Sequence, residues 1–428
     1  MTRPFTRLLV AASALALAGA APTSVLAQEG AVTNPSVTYL MEKHGLSKDE
    51  ATMRIDLQGQ IIALSERLNT GGDANYADMY IQHEPVYKIV VMFADRSDRK
   101  AFLDALDPGL RRYVQLKQAK RSRALSDAEL DTLNAAVVAV GVPFTSEYDL
   151  ESERFVVTVA DQAALARVRA AIPPKLRSET TVEQGLIPQT EAVPSNVRAG
   201  DAAYGGNPVF STTTSFDYYC SMGFAVSYTA GGVAKKGMLT AGHCPDTMYL
   251  DYAGRKVTLS GPFIDKADRD QSADADGLTD KYDYQIFDMT GITVGPSIRY
   301  VDKNSIPEFP ASGSLTLTGI TSFMNQKAGM VVCKSGHTTG ITCGKIVNGN
   351  KSRDGVAGWI EVSQTNQADI SEPGDSGGPW FLYPGSSSTI TGVGIHSAGA
   401  GTGASSIAVY MPIDYINDHD PTVATIKQ

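Results

Sequence analysis

The 428 residues predict an α+β segment followed by an all-β domain. Two observations carry this expectation. Up to about residue 185, strand-like apolar runs alternate with runs of helical spacing. Beyond residue 208 the chain breaks into short alternating runs, such as "GFAVSYTAGG", "GSLTLTG" and "STITGVGIHSAG", punctuated by glycine. Forty glycines against two tryptophans point the same way, because tight turns suit β architecture. With 43% hydrophobic and 19% charged residues the chain has the composition of an ordinary globular protein. A formal charge of −9 argues against nucleic acid or an anionic membrane as the main partner.

The elements follow in order. Arg3 and Arg7 precede an apolar run from Leu8 to Ala21, and Val25 and Ala27 occupy small-residue cleavage positions. This reads as a secretory signal peptide over residues 1–27, too short for a membrane span. The mature chain is therefore expected to be soluble and secreted, into the periplasm or the medium, and to be a monomer. Export permits disulfides. Cys220, Cys244, Cys333 and Cys343 allow three pairings, and none has the C-x₂₋₄-C spacing that zinc sites favour. Two local bridges are expected, with no metal and no cofactor.

Ser47 to Glu50, "SKDE", is a capping box opening a helix that runs to Asn69. "YKIVVMFAD" then reads as a strand, "RSDRKAFLDALD" as a helix and "YVQLKQ" as a strand. The order returns in "FVVTVAD", "QAALARVRAAI" and "TTVEQ". Asp95 matches Asp161, Pro108 matches Pro174, and Leu110-Arg111 matches Leu176-Arg177 at one constant offset, so the strand–helix–strand unit reads as duplicated. Residues 187–208, rich in Pro, Gly and small polar residues, read as a linker and place a domain boundary near 191/192.

"EPGDSGGPW", Glu372 to Trp380, suits neither helix nor strand. Taken alone it is a surface turn. It follows "LTAGHC", with His243, and "YDYQIFD", with Asp283, in the order His, Asp, Ser. A Ser hydroxyl is a weak nucleophile until a base takes its proton, and the base needs a carboxylate to fix its tautomer. Glycine before the Ser lets a loop aim backbone N–H groups at a developing oxyanion.

With "VRAGDAAY", "TAGHC", "VCKSGHTTGITCG" and "SEPGDSGGP" in family order, residues 196–414 resemble the chymotrypsin-fold serine proteases, in particular the bacterial streptogrisin and α-lytic protease group. The resemblance implies a double six-stranded antiparallel barrel, one barrel over about 200–302 and the other over about 305–428. It implies that residues 28–191 are an α+β pro-region acting as folding aid and inhibitor, and that protein or peptide substrates are hydrolysed. By motif, Ser376 is the nucleophile, His243 the general base and Asp283 the orienting carboxylate, although Gln285 stands where the family has a small residue. Gly374 and Ser376 would supply the oxyanion N–H groups, and Ser397 to Gly399 would bond the substrate backbone. The implied disulfides are Cys220–Cys244 and Cys333–Cys343. The group's bridge beside the nucleophile is missing, with Ile370 in its place, so a less rigid loop is expected. Lys334 replaces the family Arg expected to pair with Asp375, keeping the charge and losing the bidentate fork.

His396, in "GIHSAG", matches the position at which glutamyl endopeptidases of this fold carry a His facing the substrate carboxylate. Ser371 would add a second hydrogen bond, and Glu191-Ala192 offers a cut that such an enzyme could make itself. The alternative is that His396 fills the pocket wall beneath a medium apolar side chain. The Asp-rich insertion Ile264 to Asp280 lacks the spacing of a calcium loop and is expected to be solvated. His337 and His419 are expected at the surface. An inactive protease-like binding module is disfavoured by the intact Ser, His and glycine loop. An esterase of α/β-hydrolase type is disfavoured because Gly374-Asp-Ser-Gly-Gly, although it fits the letters G-x-S-x-G, lies in a turn-rich all-β stretch and not on a strand-to-helix elbow.

Overall fold

A computed structural model describes residues 34–190, 203–212, 217–252, 255–260, 282–299, 314–364, 369–384 and 389–428. The expected signal peptide and the Asp-rich insertion lie outside them, and residues 34–428 form one compact unit.

The N-terminal part begins with α1 (Pro35–His44) and α2 (Lys48–Thr70). The Ser47 side chain accepts from the Glu50 N–H, half of the expected capping box. Two ββαβ units follow. In the first, β1 (Tyr76–Gln82) is antiparallel to β2 (Lys88–Phe93); α3 (Lys100–Asp104) and α4 (Pro108–Arg111) then lead to β3 (Val114–Gln118), parallel to β2. After α5 (Arg123–Val138), β4 (Phe144–Asp149) is antiparallel to β5 (Arg154–Val159), and α6 (Gln162–Ala171) leads to β6 (Thr180–Gln184), parallel to β5. Part of the expected linker is not a loop. Gln189–Thr190 form strand β7, paired with the protease sheet, because an extended Pro-flanked segment meets an edge with free backbone groups there.

In the all-β part, one sheet has the order β10 (Asp217–Ser221), β9 (Pro208–Thr212), β13 (Thr247–Tyr252), β14 (Arg255–Ser260). A second has β15 (Gln285–Asp288), β12 (Val233–Thr240), β11 (Ala225–Ala230) and the C-terminal β24 (Ala424–Thr425). Met222, Met238, Met248, Leu250, Leu259 and Phe287 fill the core of this first barrel. β8 (Ala203–Gly205) pairs with β16 (Val294–Arg299), which continues through β17 (Ser314–Ile320) to the second barrel.

The second barrel closes on itself. β18 (Val331–Gly336) pairs with β19 (Gly340–Arg353), β19 with β20 (Val356–Ser363), and β20 with β23 (Ile407–Pro412). β23 pairs with β22 (Thr389–Ala400), β22 with β21 (Pro379–Leu382), and β21 with β18. All six pairings are antiparallel, and closure leaves edges only where β19 runs past β18 and β22 runs past β21. α7 (Tyr415–His419) packs across the end through Tyr415 and Ile416.

The N-terminal part shares these cores. Leu40 and Tyr39 of α1 pack in one cluster with Val331, Trp359 and Phe381. Ile61 and Leu64 of α2 and Ile89 and Val91 of β2 pack in one cluster with Met330, Val332 and Val362. Gln58 of α2 accepts from Val331 N–H at 2.5 Å and donates to Val331 O at 3.1 Å. β4 adds to the tip of β19, with Ser146 opposite Ser352 and Thr145 opposite Arg353. Across this junction Lys351 lies 3.0 Å from Glu147 and 3.2 Å from Glu361.

Candidate active site

His243 sits on the turn after β12, between the two barrels. The Cys220–Cys244 disulfide ties that turn to β10. Gln285, fully buried, donates its amide to Ala241 O at 3.0 Å and Cys244 O at 2.7 Å. The residue that departs from the family pattern thus holds the His turn through hydrogen bonds.

The ring is held from both sides. Nδ1 lies 3.1 Å from Asp283 Oδ1 and 3.0 Å from Oδ2, and Nε2 lies 2.8 Å from Ser376 Oγ. Asp283 is fully buried and also accepts from the His243 backbone N–H at 3.0 Å and from Ser397 Oγ at 2.5 Å. Burial alone would raise the Asp283 carboxyl, but the charge of His243 and hydrogen bonds from His243 and Ser397 bring it below the usual carboxylate range. Asp288, its near neighbour in sequence, pairs instead with Lys235 at 2.6 Å.

The glycine loop explains its own composition. Gly374 has φ +101° and Gly377 φ +84°. A Cβ on Gly377 would lie 2.2 Å from Thr240 Oγ1, and one on Gly374 2.4 Å from Thr338 Oγ1. Only glycine fits both the backbone and the space. Successive carbonyls of the loop are already engaged. Pro373 O accepts from Thr338 Oγ1, Gly374 O from Ser221 Oγ, Asp375 O from Gly378 N–H and Ser376 O from Ser221 N–H. These bonds fix the peptide planes around the Ser.

Asp375 is fully buried behind the Ser. Lys334 Nζ donates to its Oδ2 at 2.7 Å, Thr339 Oγ1 at 2.6 Å and the Thr338 N–H to Oδ1 at 2.8 Å. Burial would raise this carboxyl; Lys334 and Thr339 hold it below its ordinary value. Ile370, where the resemblance suggested a less rigid loop, is fully buried, accepts from Thr342 Oγ1 at 2.6 Å and donates to Ser406 Oγ at 3.0 Å. The second disulfide, Cys333–Cys343, joins the facing strands β18 and β19.

His396 on β22 is fully buried; Trp380 Nε1 donates to its Nδ1 at 3.3 Å. Ser371 is 4% exposed, and its Oγ has no hydrogen-bond partner among the described residues. Ala398 and Gly399 are occupied by the chain itself, paired with Thr190 and Gln189 of β7. His419 is exposed, although its Nδ1 lies 2.6 Å from Tyr284 OH. His337 departs from expectation. It is half-buried and stacked on Tyr219, because "SGHTTG" folds under the glycine loop instead of projecting from it. Burial, and then the charge of Arg299, push its imidazole down to about 4. Sequence reasoning did not find Trp380, although it directly follows the Ser motif. It also missed Arg353, which no motif marks.

The profile of the Trypsin family matches residues 206–419, half of the chain and all of the site. The chain belongs to the Trypsin family. Streptogrisin-C of Streptomyces griseus is 26% identical over 94% of this chain and 78% of its own length. Among solved structures, Thermobifida fusca protease A is 24% identical, covering 54% of this chain and all of that one, with a TM-score of 0.35. Nocardiopsis protease is 20% identical over the same shares, with a TM-score of 0.35. The trypsin-family assignment makes the chain a relative of chymotrypsin-like serine peptidases, hydrolases of protein substrates.

Proposed function

We propose that this chain is the precursor of an exported serine endopeptidase that processes itself and cleaves after Glu. The observation that carries the reading is the chain of contacts Ser376 Oγ–His243 Nε2 at 2.8 Å and His243 Nδ1–Asp283 at 3.0 Å. His243 takes the Ser376 proton as Oγ attacks the scissile carbonyl, and Asp283 stabilises the imidazolium. The N–H groups of Gly374 and Ser376 receive the oxyanion. His243 then protonates the leaving amine, and water hydrolyses the acyl-enzyme by the same steps in reverse order of roles.

The pro-region reading is supported by β7, which lies on the segment expected to bind substrate backbone. One residue beyond that pairing the sequence reaches Glu191-Ala192, the bond proposed for self-cleavage. The Glu preference draws on two features. Trp380 donates to His396 Nδ1 and so orients the ring at the position that the resemblance assigns to the substrate carboxylate. Ser371 holds a buried hydroxyl without a partner among the described residues, and such a group costs about 1–3 kcal/mol unless a ligand supplies a partner. The full burial of His396 equally suits the alternative of a pocket for medium apolar side chains.

The test is to express residues 28–428 and map cleavages of a peptide library and of the chain itself by mass spectrometry. Cuts after Glu and a mature N-terminus at Ala192 are expected. Ser376→Ala should leave the precursor uncut and unreactive to a fluorophosphonate, and equal labelling of that variant would refute the nucleophile. His396→Ala should lower kcat/KM on Glu substrates about 10- to 150-fold, matching hydrogen bonds to a charged group. Equal cutting after Leu or Phe by the wild type would overturn the Glu preference.

A further inference from the structure

We propose that Arg353 is a positioning residue of this reaction, orienting Ser397 toward Asp283 while reading the backbone of the chain bound in the substrate cleft. Arg353 ends β19 and is 2% exposed. Its Nη1 donates to Ser397 Oγ at 3.1 Å, its Nη2 lies 3.5 Å from Pro188 O, and its guanidinium carbon lies 4.9 Å from the Trp359 ring centroid. Among the described residues no carboxylate forms an ion pair with it. A buried cation without a counter-ion is costly, so its contacts need to be functional or structural ones of high quality.

The contacts define a direction. Ser397 has one hydroxyl proton, and with Arg353 donating to its oxygen that proton goes to Asp283 Oδ2, 2.5 Å away. Asp283 in turn accepts from His243. The run Arg353→Ser397→Asp283←His243 therefore carries a positive charge at the end remote from the nucleophile. The groups set against the Asp283–His243 pair are Ser376 from the glycine loop, Ser397 from β22 and Gln285 beside the His turn. Met411 Sδ on β23 also faces it, with Arg353 behind Ser397. Arg353 favours the ionised Asp283 and opposes a proton on His243, which keeps the base free at lower pH.

Its other arm faces the bound chain. Pro188 lies two residues before Thr190, which pairs with Ala398. A substrate long enough to place a carbonyl where Pro188 stands would meet the same Nη2; a short one would not.

This inference rests on the His243–Asp283–Ser376 reading, and the experiment separates the two. Full-length precursors with Arg353→Gln, which removes the charge, and Arg353→Lys, which keeps it but loses the fork, are allowed to mature. The pH dependence of kcat/KM is then measured with a two-residue and a four-residue anilide ending in the residue the wild type cuts best. For Arg353→Gln the acid limb should move up by about half a unit to one unit. For Arg353→Lys it should stay with the wild type while the preference for the longer substrate falls about threefold. An Arg353→Gln enzyme that is labelled by a fluorophosphonate and keeps the wild-type acid limb overturns the proposal. If Arg353→Gln does not fold, an undiminished length preference in Arg353→Lys overturns it. A wild type that fails to label at Ser376 refutes the triad reading itself, and with it any role of Arg353 in that reaction, which distinguishes this outcome from a failure of Arg353 alone.

Discussion

Asp375 shows how much of the site depends on one charge pair. It stands beside Ser376 with no exposed surface, facing a Lys334 that has none either. Removing one partner of such a pair leaves a charge stranded, at a cost of about 3–5 kcal/mol. Lys334→Met in the Ser376→Ala precursor should therefore lower the unfolding free energy by about that amount at pH 7. The pH dependence has a definite sign. The Asp375 carboxyl is depressed in the folded chain, so its stabilisation is complete above the unfolded value of about 4. It is lost as pH falls through the lower folded value. The gap between variant and wild type in chemical unfolding should accordingly be widest near neutrality and narrow below about pH 4. A gap that is constant from pH 7 to pH 2 would show that packing, and not the charge, is what Lys334 contributes. Gln285 carries the same lesson for legibility. Its identity stands out in the sequence as a departure, but only the fold shows that its amide reaches Ala241 and Cys244.

Between elements, two strand additions join the N-terminal part to the protease sheet. β4 extends β19 at the hairpin tip, and β7 lies on β22. The second addition puts the chain in the cleft where a substrate strand is expected, by main-chain pairing that needs little side-chain specificity. Replacing both Gln189 and Thr190 by Pro removes the backbone donor from whichever residue forms the hydrogen-bonded pair. The full-length variant should mature about 2- to 10-fold more slowly, as expected for one lost hydrogen bond. Maturation at the wild-type rate, followed by appearance of the new N-terminus, would separate β7 from processing. Strands β2, β3, β5 and β6 and the capped helix α2 were legible because their periodicity and caps are local. β1 and β4, which turn each expected strand–helix–strand unit into ββαβ, and helices α1 and α5 were not anticipated. α5 turns Leu130, Leu133 and Val137 toward β4 and β5, so its apolar stripe has meaning only once those strands are present.

On the scale of the whole molecule, the protease barrels and the N-terminal part divide apolar surface between them. The clusters holding Val331, Val332, Trp359 and Val362 also hold Leu40, Ile61 and Ile89. The second barrel closes only through pairings between strands distant in sequence, β20 with β23 and β18 with β21. Such non-local closure is slow, and a preformed surface that covers the barrel favours the closed state. Refolding residues 192–428 alone should yield little active enzyme by active-site titration, and adding residues 34–190 in trans should restore it. Full recovery without the N-terminal part would exclude a folding role.

The order His243, Asp283, Ser376 and the glycines around the Ser were fixed in the chain itself, because the proposed chemistry calls for those residue types and the loop tolerates no Cβ at Gly374 or Gly377. The trypsin-family architecture follows from the same motifs. Only the tertiary structure decided that residues from β22, β23 and the turn after β12 meet at Asp283. It also decided that β7 pairs with Ala398 and Gly399 of β22, and that Arg353 stands buried behind Ser397. These contacts join positions far apart in sequence, and no local pattern records a meeting that burial and strand pairing alone bring about.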